Sequence, residues 1–265
     1  MRGRPWIATL ALGTLMFLYL PMTAVLIFSV NASRHGLVWK GFTVKWYSAL
    51  LRNQLVLEAA RNTALLAVVS TVTATVLGTL LAIGIARYPW PQWVRNVLDI
   101  QVYLPVVTPD IIFAAALVVA FGLLRHLSSL FQPGMFSMII GHITFQIAFV
   151  CLVVSSRLAI IGRTLEEAAR DLYADTSYFL IKVLLPLLAP GILAGAMLAF
   201  TLSLDDFVIS FFTAGPDSTT LPIYIYSSVR RGVSPEIHAL STLILLLTVV
   251  LVIGLGRLSP QGRNS

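Results

Sequence analysis

An all-α bundle of membrane-spanning helices is the fold class that this sequence predicts, and three observations predict it. Soluble domains run at about 45–50% apolar and about 25% charged residues, whereas this chain is 58% hydrophobic and 11% charged, with a mean hydropathy of +0.89. Apolar runs of spanning length fall at residues 6–30, 62–86, 97–123, 135–156, 191–213 and 239–256. None of them alternates polar and apolar positions over ten or so residues, as barrel strands do. A backbone in lipid must satisfy its own hydrogen bonds, so the runs are read as helices. A span needs about 20 apolar residues, so 265 residues supply six spans with short connections and no sizeable soluble part. Residues 1–265 are therefore read as a single transmembrane domain.

The first run follows Arg2 and Arg4, a charge layout like that of a signal peptide, but it extends to Val30. That is too long for a signal core, so it reads as an uncleaved span. Between the first two runs, Trp39, Phe42, Trp46 and Tyr47 lie among Lys and Arg, which suits an interfacial helix with an aromatic belt. Pro105 and Pro109 interrupt the third run just before Asp110. In the fourth, His142 and Gln146 are one turn apart, a spacing that serves either a pathway lining or an interhelical hydrogen bond. Gly215-Pro216 marks a turn after the fifth run. Ser234-Pro235-Glu236 combines a cap, a first-turn proline and an acidic residue, and it starts the sixth helix.

The net charge of +7 does not point to nucleic acid, because the basic residues are scattered between apolar segments. Cys151 is the only cysteine and reads as a packed hydrophobe. No disulfide framework follows, and His35, His126 and His238 form no metal-ligand spacing. There is no H-E-x-x-H and no G-x-S-x-G, so an enzyme is not indicated. A phosphate-binding loop needs Gly before its Lys. The three lysines, Lys40, Lys45 and Lys182, follow Trp, Val and Ile, so this chain is not its own P-loop ATPase. With the N-terminus placed inside, the basic residues divide ten inside to eight outside, which leaves the orientation open.

The longest polar connection on the presumed inner side is 157–190, RLAIIGRTLEEAARDLYADTSYFLIKVLLPLLAP. Ile161–Leu172 suits a short helix, with Glu166 and Arg170 at i,i+4. Asp175, Thr176 or Ser177 caps a second helix expected to end near Leu185, because Pro186 disfavours helical geometry in the residue before it. Spacing alone fits an amphipathic connector equally well. The run Glu167-Ala168-Ala169, with Ile181, Leu185-Pro186 and Pro190, resembles the EAA loop of bacterial ABC-importer permeases over 24 positions. That resemblance implies a type I permease fold of six helices. It also implies a cytoplasmic coupling loop in which Glu167, Ala168, Ala169, Tyr173, Ala174 and Pro186 lie against a separate ATPase. The family usually has Gly where this chain has Tyr173, at a bend that needs a left-handed residue, and that conformation costs a non-Gly residue roughly 1–2 kcal/mol.

An ionisable residue inside a span is a functional hypothesis by default. Asp110 and Asp205 lie at similar depths in the third and fifth runs, and carboxylates at one level favour cations. A broken helix beside a charge is common at transporter substrate sites, yet a proline kink with Asp110 satisfied by freed amides reads equally well. Asp206 points about 100° away from Asp205 on a helix, so one of the two faces the pathway and the other a neighbouring helix. The stretches TLSLDDFVISFF, TTLPIYIYSSVRRGVSPEIHALST and LPVVTPDII resemble the polyamine branch of these permeases, the C-type subunits of spermidine/putrescine importers. The resemblance implies a second, homologous permease, two cytoplasmic ATPase subunits carrying ATP and Mg, and a periplasmic substrate-binding protein. It implies no cofactor on this chain, which would lie in the bacterial inner membrane as a multi-pass protein with both termini cytoplasmic. An ion-coupled secondary transporter, or a permease for a different small solute, is the alternative reading.

Overall fold

The computed structural model describes residues 5–33, 38–162, 164–232 and 234–258. Arg2, Arg4, Arg34, His35, Arg163 and Arg263 lie outside them. Among the described residues the secondary structure is helical, apart from an isolated bridge between Asn31 and Phe42. In chain order the α-helices are α1 (Pro5–Ser29), α2 (Lys45–Leu50), α3 (Gln54–Arg87), α4 (Gln92–Val107), α5 (Asp110–Leu124), α6 (Met135–Ile161), α7 (Thr164–Asp171) and α8 (Thr176–Tyr178). They continue as α9 (Leu185–Asp205), α10 (Val208–Thr213), α11 (Leu221–Arg231) and α12 (Pro235–Leu258). Four helical stretches, Trp6–Ser29, Gln54–Arg87, Met135–Ile161 and Thr176–Asp205, are each long and apolar enough to cross a membrane.

Two of the expected spans are built differently. The run 97–123 is not one helix: α4 and α5 meet at 114°. Pro109 has no amide hydrogen and forces Thr108 out of helical geometry, to φ −79° and ψ 130°. The run 191–213 breaks at Asp206, whose ψ of 122° ends α9 before α10 begins. At its other end α9 does not stop near Leu185. Helix α8 passes through a π-helical segment, Phe179–Leu184, directly into α9. The wider π turn removes the i→i−4 contact with which a proline ring clashes, so Pro186 is accommodated in the first turn of α9. After the Gly215-Pro216 turn, the stretch between the fifth and sixth runs forms the amphipathic α11.

The described chain divides into two compact units. In the unit of residues 1–57 and 224–265, α12 packs against α1 and α2. Trp46 is buried there rather than lying in an interfacial belt, because its indole N–H donates to the Asn31 carbonyl at 2.7 Å. Asn31 in turn donates to the Val38 carbonyl and accepts from the amides of Ser33 and Lys40, which fixes the loop. Trp39 and Phe42 remain exposed, as a belt requires. Helix α12 opens at Pro235 with Glu236 in its first turn, as its cap sequence predicts.

In the unit of residues 58–223, α6 is the central element and packs against α9, α4 and α10. Val150, Cys151, Val154 and Leu158 of α6 are buried with Leu184, Leu188 and Ala199, so Cys151 is the packed hydrophobe expected. Backbones approach closely where side chains are small. A Cβ on Gly78 would lie 2.8 Å from the Val150 Cβ, so α3 can lie this close to α6 only with glycine there.

Candidate functional site

Both helix breaks carry carboxylates, and they belong to the same unit. Asp110 opens α5 immediately after the Pro109 break, where a negative charge is favoured by the exposed amides of a helix start. Its carboxylate is exposed and takes no hydrogen bond from freed amides among the described residues. Asp205 is the last residue of α9 and is also exposed. Helix α5 packs against α10, which brings the two breaks together. The ends of α4 and α9 and the starts of α5 and α10 fall at these same breaks, so partial charges of both signs meet there and the net negative charge is that of the carboxylates. Such a place attracts cations.

Asp206 behaves differently from its neighbour. Its side chain is only 8% exposed and reaches His142, with Oδ2 3.2 Å from Nε2. It also accepts the backbone amides of Ile209 at 3.2 Å and Ser210 at 2.8 Å, which starts α10. His142 is fully buried, with Nδ1 2.8 Å from the Ser203 hydroxyl and Nε2 3.0 Å from that of Ser210. The Ser203 hydroxyl lies a further 3.3 Å from that of Ser70 on α3. One polar network therefore links α3, α6, α9 and α10. Spacing left two contacts open, and the geometry shows them. His142 makes interhelical hydrogen bonds, and of the two adjacent aspartates Asp206 faces a neighbouring helix. One turn along α6, Gln146 donates to the Ala199 carbonyl at 3.2 Å. Sequence reading did not single out Ser70, Ser203 or Ser210, because serines are common in apolar helices and only the fold shows them converging on one imidazole.

The stretch 157–190 forms a smaller protrusion than expected, since α6 runs on to Ile161 and a helix resumes at Thr176. Gly162, at φ 71°, separates α6 from α7. On α7, Glu166 accepts from Arg170 at 2.7 Å, the predicted i,i+4 pair. It also pairs with Arg87 of α3 at 3.5 Å, a partner far away in sequence. Glu167 and Ala168 are exposed and Ala169 is half-buried. The bend after α7 is made by Tyr173 at φ 58°, the left-handed conformation usually given to Gly. The tyrosine amide donates to the Arg170 carbonyl at 2.9 Å and that of Ala174 to the Ala169 carbonyl at 3.0 Å. Asp175 then caps the next helix by accepting the Tyr178 amide. Tyr173 is 97% exposed. Beside it Leu172, Tyr178 and Ile181 also present apolar surface outward, next to the exposed Glu167.

Comparison with known proteins places this geometry in context. Residues 74–261 match the family described as the binding-protein-dependent transport system inner membrane component. The chain is 41% identical, over 237 residues covering 89% of it and 87% of the relative, to the spermidine/putrescine transport system permease protein PotC of Escherichia coli (strain K12). It is 40% identical, over 242 residues covering 91% of it and 86% of the relative, to the putrescine transport system permease protein PotI of the same organism. Among solved structures, a bacterial alginate ABC transporter in complex with an alginate pentasaccharide-bound periplasmic protein matches with a TM-score of 0.75 at 19% identity. That match covers 99% of this chain and 96% of the other, and at this identity it speaks for the fold, an ABC-importer permease. The chain thus belongs to the binding-protein-dependent transport system inner membrane components.

Proposed function

We propose that this permease carries a polyamine, a flexible polycation of the spermidine or putrescine kind, through the inner membrane by alternating access driven by ATP. The observation that carries the substrate class is the pair of exposed carboxylates, Asp110 and Asp205, at two neighbouring helix breaks. Two fixed negative charges beside broken helices suit the spaced ammonium groups of a polyamine. The relatives named for spermidine and putrescine transport support the same reading. Asp206, held by His142, contributes shape rather than charge to the pathway.

In this reading the segment from Thr164 to Ile181 lies in the cytoplasm, on the same side as both termini, and docks on one of two ATPase subunits that hold ATP and Mg. Glu167 makes the polar contact. Ala168 and Ala169 permit close approach, and Tyr173 with Ala174 forms the bend that turns the chain back to the membrane at Pro186. A homologous permease completes the pathway, and a periplasmic binding protein delivers the substrate; the alginate transporter of the same fold forms a complex with an alginate pentasaccharide-bound periplasmic protein. Energy source separates this reading from an ion-coupled transporter. Uptake of labelled spermidine is expected to continue in the presence of a protonophore and to stop on ATP depletion. The opposite pattern would make Asp110 and Asp205 ion-coupling sites.

A further inference from the structure

No side chain of helix α7 is fully buried, and Ala169 is the residue of this helix that packs against the core around Val154 and Leu184. With one small alanine against the core, α7 has little packing through which to pass a displacement, so the directional contacts at its start weigh heavily in what moves with it. Arg87, the last residue of α3, supplies those contacts. Its side chain is 13% exposed and 3.5 Å from Glu166 in the first turn of α7. The same guanidinium donates from Nη2 to the Gly162 carbonyl at 2.7 Å, where α6 ends. One planar group thus joins the end of α3, the turn that closes α6 and the beginning of α7.

We infer that Arg87 is a positioning residue for energy coupling, the joint through which movement of α7 reaches α3 and α6. The inference rests on the reading of the loop as an ATPase contact and adds the part that transmits the motion. Two chemical features favour it over a purely structural role. The Arg87 Nε is buried with no hydrogen-bond partner among the described residues, and a largely buried ion pair is seldom better for stability than an apolar contact of the same size. A guanidinium can also hold two acceptors in fixed relative positions, which a lysine ammonium on its flexible stem does less rigidly. Without the joint, Gly162 leaves α7 free to swing about its own backbone, because glycine adopts many conformations at low cost.

The test compares solute imported per ATP hydrolysed, in liposomes containing the complete transporter with its partner subunits and binding protein. For Arg87→Ala the ratio is expected to fall about tenfold, the middle of the usual range for energetic coupling between sites, while ATP hydrolysis continues. Arg87→Lys and Glu166→Gln, which each keep part of the joint, are expected to lose about threefold on the same scale. Both carry the test if Arg87→Ala does not assemble. A wild-type ratio in Arg87→Ala, or in Arg87→Lys and Glu166→Gln together, would overturn the joint. Glu167→Ala is measured alongside. If it uncouples transport while the Arg87 variants do not, only the joint fails; if none of them changes the ratio, the loop is not the coupling element.

Discussion

Asp206→Ala is expected to destabilise the membrane bundle by about 3–5 kcal/mol, since each buried donor left without its acceptor costs about 1–3 kcal/mol. The carboxylate meets the fully buried His142 and accepts two backbone amides at the start of α10. Truncation leaves both amides without this acceptor and the imidazole with only the Ser203 and Ser210 hydroxyls. Asp206→Asn is expected to cost less than half as much, because an amide oxygen still accepts one backbone N–H. His142→Gln falls between them, at about 1–3 kcal/mol. Thermal unfolding of the detergent-purified transporter measures all three. An Asp206→Ala protein as stable as the wild type would mean that the network does not hold the α9–α10 break.

The neighbouring residue is expected to respond in the opposite way. Asp205→Asn should leave stability unchanged, since the side chain is exposed at the end of α9. It should raise the KM for spermidine uptake about tenfold, the equivalent of about 1.4 kcal/mol of lost attraction for one ammonium group. Asp110→Asn is expected to act similarly. The double variant should exceed either single one, but by less than the product of the two, because the two breaks adjoin and both carboxylates would act on one substrate. Transport kinetics of the three variants decide the matter. An unchanged KM in the double variant would remove these carboxylates from the pathway. The contrast between adjacent aspartates matters most: one should move stability and the other affinity.

Much of this architecture is legible in the amino-acid sequence, for physical reasons that also show where legibility stops. Lipid allows few backbone solutions, so apolar length locates the spans, and the caps at Asp175 and Ser234-Pro235-Glu236 mark helix starts through local chemistry. Tyr173 also signals its left-handed backbone in advance, because the motif around it needs a bend that side chains seldom make. Prolines are harder to read. Pro109 breaks its helix, but Pro186 does not, and the difference lies in a π turn at Phe179–Leu184 that no local pattern announces. Charged residues inside the spans are conspicuous, yet their roles depend on partners from other helices. Asp205 and Asp206 are chemically identical until His142 takes one of them. Arg87 counts as one more basic residue at a helix end until the fold brings Gly162 and Glu166 to it.

If two exposed carboxylates select polycations and so admit polyamines through this permease, uptake of labelled spermidine should show it. Cells lacking their own polyamine uptake would express this chain with its partner subunits. Saturable accumulation is expected, competed by unlabelled spermidine and putrescine, not by uncharged or anionic solutes of similar length, and weakened in Asp110→Asn/Asp205→Asn. Accumulation no greater than in cells without the transporter, or competition by uncharged solutes as strong as by putrescine, would contradict it.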